Sequence, residues 1–250
     1  MTIAWSYGGG IQSVCIGVLI AEGTLPVPDL AGIADTSRER RTTWDYLHNV
    51  MQPYLDRKGV PLKIEVVPHS LSRKDVYDDS GLTLMPAYTG EGRKAAFCSG
   101  EWKRDVMERW LRLKGVKDCD QWIGFSTDEM RRANKKDHRP WCRLRYPLIE
   151  RFISRDLCKA LIVAGGLPLP HKSRCWCCPH QDDGEWAEVR ADPEEWAAAV
   201  ALEREINERD PERKGLYLYA GRVPLEMAEF GAGKALVPPG RPCEGESCWT

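Results

Sequence analysis

The sequence predicts an α/β fold, namely a doubly wound, mainly parallel sheet followed by a small cysteine-rich, helical C-terminal region. Short apolar runs of strand character alternate with segments whose apolar residues recur at helical spacing, which is typical of a parallel sheet covered by helices. Beyond Leu167 the alternation gives way to a cysteine-rich turn and acidic helices. We therefore expect an α/β domain over residues 1–166 and a second region over residues 167–250.

The individual elements follow from the same patterns. Apolar runs predict strands over residues 3–7, 30–34, 62–67 and 121–125. Helical spacing predicts helices over residues 11–21, 42–57, 101–113 and 155–164. Pro53 is expected to kink or end the second helix, and the Gly- and Pro-rich residues 78–97 predict a loop. Since ligands bind beyond the carboxyl ends of parallel strands, the loops at 6–13, 35–38 and 124–131 should converge on one crevice.

Composition limits the class of protein. The 250 residues carry 29% charged side chains and a formal net charge of −1, which indicates a near-neutral globule. No apolar run approaches the ~18–20 residues of a membrane span. Met1-Thr2-Ile3 leads directly into the first strand, so we expect no signal peptide, no membrane partner and a cytoplasmic protein. Ten cysteines in such a chain point to metal or redox chemistry rather than to a disulfide framework.

Charge is unevenly distributed along the chain. Residues 131–159 are strongly basic, whereas residues 182–212 are strongly acidic. A solvated surface accounts for the acidic stretch. The basic segment is predicted to face an anion, which could be a nucleotide, a sulfate or a nucleic-acid backbone.

The most informative motif is the glycine run that joins the first strand to the first helix. Glycines allow the backbone to approach an anion, and the N–H groups of such a turn, with the start of a helix, favour phosphate. No lysine of a Walker P-loop is present, and position 13 is serine where a dinucleotide-binding loop needs glycine. The alternative is a tight turn without a ligand. The predicted phosphate-binding residues are Ser6, Gly8, Gly9, Gly10, Gln12 and Ser13.

Two further loops carry candidate ligand-binding residues. Asp35 follows an apolar strand, where a carboxylate accepts hydrogen bonds from ribose or adenine or holds a metal, or else caps the next helix. Gly124 would let the backbone approach a nucleotide, and Arg131 could pair with a phosphate. Asp128 and Glu129 would hold Mg²⁺ or orient their loop.

The cysteines around residue 175 give the densest metal-binding pattern. Cys175 and Cys178 form a C-x-x-C motif followed by proline, and Cys98 and Cys158 lie upstream. Four thiolates of this kind hold an iron–sulfur cluster or Zn²⁺. The alternative is that these cysteines are free and buried in a core. Near the C-terminus, Cys248 is a candidate for a mobile attacking thiol, although an end of the chain without chemistry explains it equally well.

These motifs together resemble the PP-loop ATP pyrophosphatase superfamily, and within it the phosphoadenosine phosphosulfate (PAPS) reductase-like branch. The resemblance spans roughly residues 3–186 and rests on the Ser-x-Gly-Gly-Gly-x-Gln-Ser loop, Asp35-Thr36, the Gly124–Arg131 segment and the Lys172-Ser173-x-Cys175-x-x-Cys178-Pro179 segment. It implies a HUP-type, adenine nucleotide alpha hydrolase-like fold. Ser37 departs from the family's glycine, and the C-terminal Glu-Cys-Gly-x-His motif of PAPS reductases proper is absent.

The resemblance implies an enzyme that binds ATP or a related adenine nucleotide with Mg²⁺. It implies adenylylation and sulfur transfer, with Ser13 and Arg131 in the catalytic site and a 4Fe-4S cluster, or alternatively Zn²⁺, on the four cysteines. A tRNA or DNA acceptor would bind the basic segment 131–159, a donor protein would supply sulfur or electrons, and an oligomer is compatible with this scheme. One alternative is a phosphosulfate reductase that uses Cys248, and another is a non-catalytic, nucleotide- and cluster-dependent sensor or accessory protein.

Overall fold

The computed structural model describes residues 1–95, 97–133, 139–210 and 215–230. The chain forms two compact units. The first unit combines Met1–Leu71 with Asp105–Ser173. The second unit combines Ser72–Arg104 with the described residues from Arg174 onward.

The first unit is a five-stranded parallel sheet with helices, which confirms the predicted α/β fold. Its strands are β1 (Thr2–Ser6), β2 (Leu30–Ala34), β3 (Ile64–Val67), β6 (Cys119–Ile123) and β7 (Cys142–Arg145). Its helices are α1 (Ile11–Ala21), α2 (Arg41–Tyr46), α3 (Gln52–Arg57), α4 (Asp105–Leu113), α5 (Met130–Ala133), α6 (Pro147–Glu150) and α7 (Arg155–Ala164). The strand order is β3-β2-β1-β6-β7, so the direction of winding reverses between β1 and β6. Loops that leave the carboxyl ends of these two strands flank the crevice that such a reversal opens.

The sheet is covered on both faces by apolar side chains. Trp5 of β1 belongs to one buried cluster together with residues of α1 and α7. Its neighbour Ala4 belongs to a second buried cluster that contains Trp110 of α4. Because successive strand residues point to opposite faces, this division shows that the sheet is buried on both sides, as parallel sheets are.

Two details differ from the sequence prediction. Of the two outcomes predicted for Pro53, an end of the second helix is wrong, because a π-helical turn over Leu47–Met51 leads directly into α3 and Pro53 lies in the first turn of α3. Strand β7 was not predicted, because Arg143 and Arg145 interrupt its apolar character. Both arginines form ion pairs with Asp120, and such charged side chains are common on edge strands.

The second unit contains a short hairpin and two acidic helices. The hairpin pairs β4 (Tyr88–Thr89) with β5 (Gly92–Arg93), within the segment predicted as a loop. The helices are α8 (Asp183–Ala191), which begins with an Asp182–Glu185 capping box, and α9 (Pro193–Glu208). Trp102 and Trp186 are buried in the apolar core of this unit. No helix in the described part of the chain is long and apolar enough to cross a membrane.

Candidate functional site

The glycine loop has the backbone of an anion-binding turn. Gly9 adopts a φ of +73°, and a Cβ at this position would lie 2.6 Å from the Thr43 methyl carbon, so both conformation and space require glycine. The Gly8 N–H donates to Ser13 Oγ over 2.9 Å and fixes the turn to the first residues of α1. No side chain of a described residue caps α1, so its first N–H groups can face a ligand.

The loop after β6 packs directly against the glycine loop. A Cβ at Gly124 would lie 3.1 Å from Ser13 Oγ and 3.2 Å from the Ser13 backbone nitrogen. Gln12 Nε2 donates to Glu129 Oε2 over 2.8 Å and joins the two loops a second time. The structure therefore brings together two of the three predicted loops.

A buried amide sets the orientation of the Ser6 hydroxyl, and the sequence analysis did not identify it. Gln121 is 1% exposed, and its Oε1 accepts from Arg139 over 3.0 Å. Because a guanidinium can only donate, this contact fixes which end of the amide faces Ser6. Gln121 Nε2 donates to Ser6 Oγ over 2.8 Å, so the Ser6 proton is directed elsewhere and can be donated to a ligand.

A second residue that the sequence analysis left out of the site is Ser173. Its Oγ lies 3.3 Å from the position of a Cβ on Gly9. The Oγ is buried and forms no hydrogen bond with any described residue. A buried hydroxyl without a partner is costly, and an anion on the glycine loop would supply an acceptor. The Lys172-Ser173 pair within the family-like segment was the only sequence feature that could have identified it.

Asp35 lies at the carboxyl end of β2, which is the neighbour of β1 in the sheet. Its Oδ1 accepts from the Ser37 N–H over 2.7 Å and stabilises a turn in which Ser37 has a φ of +57°. Arg40 rather than Asp35 precedes α2 as its N-cap residue, so Asp35 does not cap that helix. Asp35 thus shares the sheet edge with the glycine loop.

Asp128 and Glu129 orient their loop. Asp128 Oδ2 accepts from the Arg155 N–H over 2.7 Å and from Ser126 Oγ over 3.1 Å. The Arg155 hydrogen bond is the main cause that lowers the pKa of Asp128. Glu129 accepts from Gln12 and from Arg132. Arg131 follows in α5, is exposed, and forms no ion pair with any described residue.

The four predicted metal-binding cysteines lie in different surroundings. Cys158 belongs to the first unit, is fully buried, and forms a side-chain hydrogen bond with Cys15. That hydrogen bond and burial raise the pKa of Cys158, which disfavours the thiolate. Cys98 and Cys175 belong to the second unit and pack against its apolar core, and the Cys178 N–H donates to the Cys175 carbonyl over 3.0 Å.

A metal cluster needs several His, Cys, Asp or Glu side chains close together. Within residues 1–95, 97–133, 139–210 and 215–230, no three His, Cys, Asp or Glu side chains are grouped so that they could hold a metal ion. The assignment of a metal to Cys98, Cys158, Cys175 and Cys178 therefore stays a prediction, and no chemical step of the proposed reaction passes through a cluster. Cys248 lies outside the described residues.

Comparisons with known proteins assign neither a family nor a function to this chain. No family model and no curated protein matches the chain. Among solved structures, the chain is similar to the U34-tRNA thiolase NcsA from Methanococcus maripaludis, solved with its 4Fe-4S cluster. The identity is 16%, the match covers 91% of this chain and 72% of that chain, and the TM-score is 0.46. At this distance the likeness assigns no residue and no chemistry to this chain.

Proposed function

We propose that the protein is a PP-loop enzyme of the PAPS reductase-like branch that binds ATP on the Ser6–Ser13 loop and activates an acceptor by adenylylation for sulfur transfer. The glycine loop is the observation that carries this proposal. Gly9 has a positive φ and no space for a Cβ. Within the described part of the chain, α1 has no side-chain cap and the buried Ser173 hydroxyl has no hydrogen-bond partner. All three features are explained by an anion bound at this turn.

In the proposed reaction an acceptor oxygen attacks the α-phosphorus of ATP. The bond between that phosphorus and the oxygen bridging to the β-phosphate breaks, and pyrophosphate leaves with the electron pair. The loop N–H groups, the hydroxyls of Ser6 and Ser13 and the Arg131 guanidinium would stabilise the negative charge that develops. Mg²⁺ bound with the ATP would neutralise charge on the phosphates. A sulfur nucleophile from a donor protein would then displace AMP from the activated carbon.

The acceptor is proposed to be a nucleic acid held by part of the basic segment. Several cations of that segment are already neutralised, because Arg143 pairs with Asp118 and Asp120, Arg145 with Asp120 and Glu150, and Lys159 with Asp156. Among the cations of the segment that the structure describes, Arg131, Arg151 and Arg155 form no ion pair with another described residue. A polyanion would therefore bind near these three side chains rather than along the whole segment.

Pyrophosphate release from ATP, measured with and without tRNA or DNA, tests the proposal. Ser13→Ala removes the hydroxyl that accepts from Gly8, and Gly9→Val fills the space at the turn, so both variants should release pyrophosphate at least about tenfold more slowly. Unchanged turnover in both variants would rule out this placement of ATP.

Reduction of a phosphosulfate nucleotide and binding of ATP, measured beside pyrophosphate release, separate the two alternatives. A phosphosulfate reductase that uses Cys248 would lose activity when residues 241–250 are deleted, whereas the adenylylating enzyme would keep it. A nucleotide-dependent sensor would bind ATP without releasing pyrophosphate for any acceptor. Anaerobic purification with an absorption spectrum, iron and sulfide analysis and zinc analysis tests the predicted metal on Cys98, Cys158, Cys175 and Cys178.

A further inference from the structure

Four helices of the first unit end in the same hydrogen-bonded turn. In each turn, one residue has a left-handed backbone, and its N–H donates to the carbonyl three residues earlier in the chain. The N–H of the next residue donates to the carbonyl five residues earlier. This is the Schellman pattern, in which glycine is favoured because the left-handed conformation is costly for residues with a Cβ. The left-handed residues after α1, α3, α4 and α7 are all glycines, namely Gly23, Gly59, Gly115 and Gly166, with φ values between +69° and +78°.

The turn after α6 has the same hydrogen bonds but carries phenylalanine. The Phe152 N–H donates to the Ile149 carbonyl over 3.0 Å, and the Ile153 N–H donates to the Leu148 carbonyl over 2.8 Å. Phe152 has a φ of +57°, which is a conformational outlier for a bulky residue. Its side chain is 86% exposed, so burial does not offset the strain. Neither folding nor packing accounts for phenylalanine here, and unexplained backbone strain of this kind points to a functional role.

The turn that contains Phe152 is hydrogen-bonded to the loop after β6, which is part of the candidate nucleotide site. The Thr127 N–H donates to the Ile153 carbonyl over 3.0 Å, and Asp128 Oδ2 accepts from the Arg155 N–H over 2.7 Å. The same loop contacts the glycine loop through Glu129 and Gln12. Phe152 is therefore joined to the glycine loop through consecutive hydrogen bonds within one unit.

The two segments that these hydrogen bonds join carry exposed apolar and cationic side chains. Leu157 and Met130, on the two segments that these hydrogen bonds join, are 45% and 54% exposed. Arg151 and Arg155 flank Phe152 in the chain, and neither forms an ion pair with a described residue. Arg151 donates to the Thr24 carbonyl over 3.2 Å, and its charge acts on the neighbouring Glu150 without forming an ion pair with it. An exposed ring whose chain neighbours include two arginines outside ion pairs complements a base and its flanking phosphates.

We propose that Phe152 is a stacking platform for an unpaired base of a single-stranded nucleic acid, whose phosphates contact Arg131, Arg151 and Arg155. The proposal rests on the proposed function, because it places the acceptor strand beside the adenylylation site. Base stacking on an aromatic ring tolerates any sequence, and arginines bind phosphates with paired N–H groups. The two backbone hydrogen bonds of the turn fix the position from which the Phe152 ring projects.

The test compares Phe152→Gly, Phe152→Trp and the wild-type full chain. Fluorescence anisotropy with labelled single-stranded RNA and DNA oligomers of one sequence gives affinities, and thermal unfolding gives the melting temperature. Phe152→Gly should weaken binding of at least one oligomer about tenfold, since a stacked base contributes on that order. Its melting temperature should stay equal or rise, because glycine adopts the left-handed turn without strain. Phe152→Trp should retain the affinity. Leu113→Ala, which removes a side chain that is 73% exposed on α4, should bind both oligomers as the wild type does.

Three results would overturn the platform. They are unchanged affinity of Phe152→Gly for both oligomers, a melting temperature several degrees lower, and an equal loss of ATP affinity in the absence of nucleic acid. A concentration-dependent dimer that Phe152→Gly abolishes would instead assign the ring to self-association and would also overturn it. If the protein releases pyrophosphate and Phe152→Gly binds both oligomers normally, only the stacking role of Phe152 is disproved. Weakened oligomer binding by this variant, in a protein that never releases pyrophosphate, would disprove only the reaction.

Discussion

The glycine loop and the predicted cysteine set differ in how the chain assembles them. The glycine loop is formed by eight consecutive residues, Ser6–Ser13, and β6 of the same sheet supplies the contacts that complete it. The cysteines come from three separate places in the chain, because Cys175 and Cys178 share one turn. Cys158 is buried beside Cys15 in the first unit, and the other three cysteines belong to the second unit. A motif that folds within one turn can be predicted from its own residues. A set drawn from distant segments cannot, because its geometry depends on packing.

The largest expected effect is on the completed glycine loop. In Gly124→Val the new side chain would overlap Ser13 Oγ and the Ser13 nitrogen, which lie only 3.1 and 3.2 Å from the Cβ position. Displacing the first turn of α1 should weaken ATP binding at least about tenfold and lower the free energy of unfolding by about 1–3 kcal/mol. Isothermal titration calorimetry with ATP and chemical denaturation measure the two effects.

Gly90→Ala is the matched control for this variant. No atom lies within 4 Å of a Cβ at Gly90, and the residue belongs to the second unit, so ATP affinity and stability should match the wild type. Wild-type ATP affinity in Gly124→Val would show that the loop after β6 does not shape the site. The contacts from β6 and its loop would then not be needed to complete the glycine loop.

Much of the fold was predictable because its periodicity is local. Strand β2 and helix α7 have the predicted bounds, and the glycine run lies between β1 and α1 as expected. Strand β7 was missed because its stability comes from pairing with β6 and from ion pairs to Asp120, neither of which is visible in its own residues. Ser173 and Gln121 were missed for the same reason, since each reaches the loop from a distant segment.

An intermediate effect on ATP affinity is expected at Gln121, which lies outside the glycine loop and orients the Ser6 hydroxyl within it. Gln121→Glu replaces the amide that donates to Ser6 by a carboxylate that pairs with Arg139 and accepts the Ser6 proton instead. Ser6 could then no longer donate to a phosphate, so ATP affinity should fall about tenfold, which is the usual cost of one hydrogen bond to a charged group.

Calorimetry on the double variant tests whether the two residues act together. Ser6→Ala alone should lose about as much ATP affinity as Gln121→Glu, and the two changes combined should lose no more than either alone, because both remove the same hydrogen bond. Additive losses would mean that Gln121 acts independently of the Ser6 hydroxyl. Denaturation of each variant without ATP separates any general loss of stability from the loss of binding.

The smallest expected effect is on the free energy of unfolding, at Cys158. It tests whether this cysteine is a core residue or a metal ligand. Cys15 and Cys158 are both fully buried and hydrogen-bonded to each other, so Cys15→Ala and Cys158→Ala should each lower the free energy of unfolding by a similar amount, about 1 kcal/mol. If Cys158 is a core thiol, as this pairing favours, neither variant changes the iron or zinc bound per chain after anaerobic purification. Metal loss in Cys158→Ala with normal metal in Cys15→Ala would show instead that Cys158 is a ligand. The cysteine set, like the glycine loop, would then be a site that the sequence alone predicts, although its members lie far apart in the chain.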